Sequence, residues 1–564
     1  MSTTTSLVRV TAVLAMCFAA IEAAPAWAFQ FETGDPSLQL RWDNTLQYSV
    51  LYRVSGQSPK LVSCPTCGNF DDGDRNFDTG VASNRLSLLS EFDFRKSFSD
   101  SSSLGVRVSG DGWYDSVYNR PNDNNSPKTV NAFSVPPGEF TKETRRIMGH
   151  SAELLDAFLF GRTRLGNIPV TVRLGRHALS YGETLFFGQN GIADAQQPID
   201  AIKLTSVPNT QFKELILPVW QASTIVQLTD KWSVGGYYQF QWRETHLPAS
   251  GSFLSPNDFL GNGAERVFAG PPLTPTSGPR QWIAGPNLNP KSTGQFGLQL
   301  RYSPQSYDLG LYFAQYGAKT PWIYFVQTKN ADPLGTGVLG QLVHVFPEDI
   351  RTAGVSISTN LDPLNIASEI SYRWNTPLVS DGQVIARGRF ANNSDHPAYA
   401  VGRTLHANLS ATYLLPPSLL WEGGSFLSEV AWNMRTAIDE NPKAMDPNTT
   451  KSAMATRFVF SPAYFQVLPN TDLNIPIGLG YNPFGRSSAV QNFNGGVDHG
   501  GDVTFGLGLV YKASWFFNFR FVDRFGPSGP VTEVVSGKGP IPVLSFKQTL
   551  ADRKFVSIDF SHTF

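Results

Sequence analysis

The stretch Leu38-Gln-Leu-Arg-Trp-Asp-Asn-Thr-Leu-Gln-Tyr-Ser-Val-Leu-Tyr-Arg-Val54 decides the fold. Leu38, Leu40, Trp42, Leu46, Tyr48, Val50, Tyr52 and Val54 share one parity, while Gln39, Arg41, Asp43, Thr45, Gln47, Ser49 and Arg53 share the other. Successive side chains of a strand point to opposite faces, so this is a strand with one apolar and one polar side. The alternation returns at 232–243, 296–302, 366–374, 405–413, 503–511 and 556–564. Weaker copies lie at 86–94, 104–114, 154–160, 170–176, 220–228, 309–313, 353–357, 430–432, 458–460, 473–481 and 517–521.

Alternation alone fits a soluble sandwich as well as a membrane barrel. The connections separate the two. Short ones at 96–102, 163–169, 229–231, 303–306, 359–363 and 512–514 fall between long ones such as 246–292 and 316–349. That rhythm predicts an all-β, transmembrane, antiparallel up-and-down barrel with long outer loops and short periplasmic turns. The segments number about eighteen, or sixteen if two of the weaker ones are loops; either count is even and returns both termini to the periplasm. Closure has a physical cause: hydrocarbon offers free N–H and C=O groups no partners, so a sheet in lipid has no open edge.

The composition agrees. Among 564 residues, 45 Lys and Arg balance 46 Asp and Glu, leaving no basic footprint for a nucleic acid. The 40 Phe, 18 Tyr and 12 Trp exclude a solvated, disordered chain. Arg9, the apolar run 10–21 and Ala26-Trp-Ala28 have the order of a secretory signal peptide, so 1–28 is expected to be cleaved, leaving 29–564 as one barrel domain. Cys64 and Cys67 are then the only thiols, spaced Cys-Pro-Thr-Cys in a loop of a chain bound for an oxidising compartment, where a disulfide is the expected state. At the other end, Val556, Ile558, Phe560 and Phe564 share a face of the last segment. This resembles the C-terminal assembly signal of Gram-negative outer-membrane proteins and implies the barrel-assembly machinery as a transient partner. His562 is out of pattern, at a position usually apolar.

Several further stretches, spread in order over nearly the whole mature chain, resemble one family. They are Phe70-Asp-Asp-Gly-Asp-Arg-Asn-Phe77 with Asn84-Arg-Leu86, Leu154-Leu-Asp-Ala-Phe158, and Val172-Arg-Leu-Gly-Arg-His177 with Tyr181-Gly-Glu183. Gly191-Ile-Ala-Asp194, Pro198-Ile-Asp200, Phe346-Pro-Glu-Asp-Ile350, Arg457-Phe-Val-Phe-Ser-Pro462 and Leu550-Ala-Asp-Arg-Lys-Phe555 continue the series. Together they are similar to the Gram-negative outer-membrane proteins grouped as domain of unknown function 1302. The resemblance implies an outer-membrane location in a Gram-negative bacterium. It also implies an association with periplasmic carrier-like proteins and inner-membrane exporters, often in pathways for apolar compounds.

If the apolar faces meet lipid, the polar ones line a lumen of mixed sign, with Arg173, Arg243, Arg301, Glu369 and Arg373 among its charges. The segment 179–217 is neither strand-like nor simply polar; it either folds inward as a constriction, with Glu183, Asp194, Asp200 and Lys203, its acids facing the Arg173 side of the wall, or forms a surface cap that blocks nothing. The apolar Val338, Leu339, Leu342, Val343 and Val345 are more than a solvated loop needs, and suit either an apolar path or packing against a neighbouring loop. Asp72, Asp74 and Asn76 alternate like the start of a calcium loop, but Phe77 stands where the EF-hand turn needs glycine. No metal is therefore assigned, and no cofactor.

No Gly-x-Ser-x-Gly elbow, Walker loop or His-Glu-x-x-His helix is present, so an enzyme, such as a surface hydrolase, is disfavoured. The expectation is a passive channel for apolar or amphipathic small molecules. A non-conducting structural or docking barrel is the alternative.

Overall fold

The computed structural model describes residues 29–31, 33–64, 67–207, 212–271, 278–328, 337–533 and 543–564. The expected signal peptide, 1–28, lies outside them.

Leu38–Arg53 pairs antiparallel with Gly80–Ser99 on one side and with Phe555–Thr563 on the other, so the sheet closes on itself. The wall contains twenty segments, but Phe29–Gln30 only runs beside residues 41–42 of the first strand. Thr471–Asn474 and Ile477–Phe484 are two halves of one crossing. They part at Pro476, which has no N–H to give the ladder. Eighteen strands therefore cross, each antiparallel to its neighbours in the chain.

All eighteen segments read from the sequence lie in these crossings, which settles the count against sixteen. The two weakest, at 430–432 and 458–460, are the middles of two of the longest strands, Gly423–Glu440 and Ser452–Leu468. Their alternation is faint because Ala431, Ala453 and Ala455 face inward, small enough for Phe187 and Phe493 of inserted loops to pack on them. The segment 232–243 is shorter than read: the strand ends at Gln239.

Trp42, Leu298, Leu311, Leu409 and Ile558 are exposed on the outside, while Ser49, Glu91, Gln299, Glu369, Asn408, Glu429 and Asp559 are buried inside. Such an inverted arrangement is stable only in hydrocarbon, where each large apolar side chain gains roughly 1.5–3 kcal/mol relative to water. His562 faces outward and stacks on Trp515 at 3.7 Å between centroids, so its flat ring fills an aromatic slot in the outer surface.

The inward side chains show a gradient along the barrel. On the first strand, Arg41 is 61% exposed near the turn end, and Arg53 is fully buried at the loop end. The returning strand repeats this, from buried Arg85 and Glu91 to exposed Arg95. The turn end is thus a solvent-accessible vestibule, and the loop end is packed. The filling comes from the long loops: Phe77, Tyr118, Phe140, Ile202 and Phe253, from four different connections, form one core against Leu51 and Phe555 of the wall. A second sheet lies among these loops, with Arg266–Gly270, Arg280–Ala284, Val338–Val345, Trp322–Gln327 and Gln383–Ile385 in spatial order. The apolar run at 338–345 is its central strand, paired parallel to 280–284 and antiparallel to 322–327.

Candidate functional site: a loop pinned across the lumen

The connection between Ile168–His177 and Val219–Gln227 enters the barrel and is bolted to the opposite wall. Glu369, on Leu364–Pro377, accepts the N–H of Glu183 at 2.7 Å and of Ile192 at 2.8 Å, one on each carboxylate oxygen. Gly182 and Gly191 lie directly on that carboxylate; a Cβ at either would collide with its oxygens. Two strands further round the wall, Glu429 Oε2 accepts the N–H groups of Leu185 at 3.1 Å, Phe186 at 2.5 Å and Phe187 at 3.1 Å. A carboxylate ringed by backbone donors is the charge-assisted arrangement that also makes anion sites at turns.

Between these two anchors Asn190 reaches the wall. Its Nδ2 donates to Asn408 Oδ1 at 2.8 Å, and its Oδ1 accepts from Asn433 Nδ2 at 3.1 Å. Arg373 donates to the Gly191 carbonyl at 2.7 Å, the Gln189 carbonyl at 3.0 Å and Asp194 Oδ2 at 3.1 Å. Tyr316 donates to the same Asp194 oxygen, and Lys319 Nζ donates to the Asp194 carbonyl at 2.9 Å. Glu183 turns toward the vestibule and pairs with Arg301 at 3.2 Å, which also holds Asp308 at 2.7 Å. Burial pushes the Glu183 carboxyl above its usual range, and Arg301 opposes it.

The second half of the loop is held to the near wall. Asp200 caps Ala201–Ser206 by accepting the Lys203 N–H at 2.8 Å, and Lys203 Nζ reaches buried Asp111 at 2.5 Å. His246 accepts the Ala201 N–H through its carbonyl at 2.9 Å and gives its own N–H to Ile199 at the same distance.

Three expectations are corrected here. The acids of the loop do not face Arg173, which lies exposed on the wall with its guanidinium 5.9 Å from the Phe158 ring. Glu183 and Asp194 meet Arg301 and Arg373 instead, because the first half of the loop crosses to the far wall, a path that strand parity does not fix, and Asp200 in the second half meets His246. Arg243 lies past its strand end, paired with Glu153 and bonded to the Pro218 carbonyl. Asp72, Asp74 and Asn76 do not converge on one ion. Asp74 pairs with Arg53 at 2.6 Å, and Asn76 donates to the Gly251 carbonyl.

Asp72 instead lies with Asp71 and Asp258, the three offering carboxylate oxygens within 4.8 Å of one another, all buried. Burial, with the Asp71 charge added and the Asn131 N–H opposing, pushes Asp72 up to about 7; burial and the Asp72 charge push Asp258 well above its ordinary value. The folded cap then holds protons that the unfolded chain has released between about pH 4 and about pH 7, so its stability falls as pH rises through that window. Asp258→Asn keeps an oxygen for the Asp72 N–H and removes one charge. It is expected to slow amide exchange over 71–77 at pH 8, with little change at pH 4, as measured by hydrogen–deuterium exchange.

Cys64 and Cys67 form a disulfide, with Cα atoms 5.0 Å apart. At the seam, Phe560 packs on Trp515 and Phe517, and Phe564 exchanges N–H and C=O bonds with Asn44 at 2.8 Å. Sequence reasoning missed Glu429, Asn190 and Lys319 as anchors. The glycines at 182 and 191, bracketing a stretch with Phe186 and Phe187, were the available signal that backbone there approaches something closely.

The family profile described as Protein of unknown function (DUF1302) matches residues 9–564. The chain belongs to this family. No curated protein matches it. Among solved structures, this DUF1302 chain is similar to Acinetobacter baumannii OccAB1, with 11% identity and a TM-score of 0.41 over 93% of this chain and 96% of that one. Pseudomonas aeruginosa OccD3 (OpdP) aligns at 9% identity and TM-score 0.37 over 96% and 95%. Salmonella typhi OmpF, in a complex with daunomycin, aligns at 7% identity and TM-score 0.37 over 95% and 100%.

Proposed function

We propose that this protein is an outer-membrane channel for small apolar or amphipathic molecules, narrowed by the loop at 178–218. It would work with a periplasmic carrier-like protein and an inner-membrane exporter, and reach the membrane through the barrel-assembly machinery. The observation that carries the reading is the asymmetry of the lumen. A solvent-accessible, charged vestibule at the turn end meets one chain segment, held by hydrogen bonds to wall side chains rather than by a strand of its own. A wall carrying both signs, as in the Arg107 cluster with Glu91 and Asp93, selects weakly by charge and suits neutral or amphipathic solutes.

The packed loop end favours a second reading, a closed barrel that docks partners without conducting. Planar-bilayer recording separates them. The intact barrel is expected to conduct weakly, and a variant lacking 191–203 strongly. A folded deletion variant that stays electrically silent would sink the channel.

A further inference from the structure

A cleft of about 200 Å³ opens among the outer loops, lined by Glu244, Leu247, Asn262, Asn287, Leu342 and His344 among others. Part of its polar lining is unspent. Among the described residues, no hydrogen bond or ion pair engages the side chains of Glu244, Asn262 or Asn287. His344 donates from Nε2 to the Phe259 carbonyl at 2.9 Å, which leaves Nδ1 as an acceptor. The cations nearest to Glu244 in sequence are committed elsewhere: Arg243 to Glu153, and His246 to Asp200 and Arg243. Burial pushes the Glu244 carboxyl above its ordinary value despite His246 and Arg243, a cost that a bound cation would relieve.

We propose that this cleft binds a small amphipathic cation, its ammonium group shared by the Glu244 carboxylate and His344 Nδ1 and its short aliphatic part against Leu247 and Leu342. The chemistry selects the class: a carboxylate and an imidazole nitrogen that only accept, flanked by the unengaged amides of Asn262 and Asn287 and by apolar walls, in a volume suited to a small molecule. The cleft is also mechanically joined to the lumen loop. The residue after Glu244, Thr245, accepts the Ile199 N–H at 3.3 Å and donates its own N–H to the Lys319 carbonyl at 2.9 Å, and Lys319 Nζ holds Asp194. The inference stands whether or not the barrel conducts, since its test reads binding alone.

That test is saturation-transfer NMR on the detergent-solubilised full barrel, with n-butylammonium, n-butanol and n-butyrate as probes. Butylammonium is expected to bind, butanol more weakly and butyrate not at all. Glu244→Gln should weaken butylammonium at least about tenfold. Ala284→Leu keeps the carboxylate but narrows the cleft and should lower binding of both butylammonium and butanol. Equal binding of the three probes would overturn the proposal. So would butylammonium binding that survives Glu244→Gln in a barrel that still resists unfolding in detergent.

Discussion

Replacing Glu369 and Glu429 together by alanine is expected to release the lumen loop and raise single-channel conductance by at least about tenfold. The two carboxylates accept five backbone N–H groups, those of Glu183 and Ile192 on one and of Leu185, Phe186 and Phe187 on the other. Hydrogen bonds to a charged group are worth roughly 1.5–3 kcal/mol each, and a buried donor left without a partner costs about 1–3 kcal/mol. Arg373 and Lys319, the cations that hold the same segment, are themselves donors and offer an orphaned N–H nothing. The wall should survive, because neither glutamate takes part in a ladder bond through its side chain. Hydrogen exchange of the 183–192 amides reports the release independently of current. A released loop with unchanged conductance would mean that 178–218 is not the barrier.

The second large effect is expected at Arg53. Its side chain is fully buried, paired with Asp74 at 2.6 Å, and donates to the carbonyls of Asp74, Phe77, Ser55 and Asp552 at 2.7–3.1 Å. It therefore ties the first long loop and the last to the end of the first strand. Arg53→Ala leaves Asp74 buried without its cation, an error that costs about 3–5 kcal/mol. Arg53→Lys should recover only part of this, since one ammonium cannot reproduce the planar fork that serves four carbonyls. Limited proteolysis is expected to cut the alanine variant within 54–79 and 543–554 while the strands remain protected. An uncut alanine variant would show that the aromatic core around Phe77 and Phe253 holds the cap unaided.

Glu369 and Arg373 were legible as inward charges from parity on a single strand, and so was Arg301, whose pairing with Asp308 the structure supplied. Parity could not show which of these charges stiffen the wall and which hold a guest. Glu369 has its oxygens turned to loop amides, while Arg301 serves both tasks at once. The loop acids were identified without their partners for the same reason. The route from Ala178 to Pro218 is set by where two glycines and Asn190 find matching groups more than 170 residues away in the chain. The cap was least legible. The alternation in 322–327 and 338–345 is short and apolar on both faces, and its parallel pairing with 280–284 links segments that no turn joins.

The sequence by itself determined a closed barrel of about eighteen crossings, the apolar and polar faces of its strands, and which connections are long, while the structure settled the count against sixteen. These follow from a period of two and from the demand that no backbone group be left unpaired in hydrocarbon, both of which act strand by strand. Only the tertiary structure decided that the long connections fold back into the barrel, that the loop at 178–218 is clamped by Glu369 and Glu429, and that Glu244 and His344 face a shared cleft. Those outcomes depend on side chains from distant strands meeting inside a closed wall, where burial without a partner is costly and the available partners are fixed by closure itself.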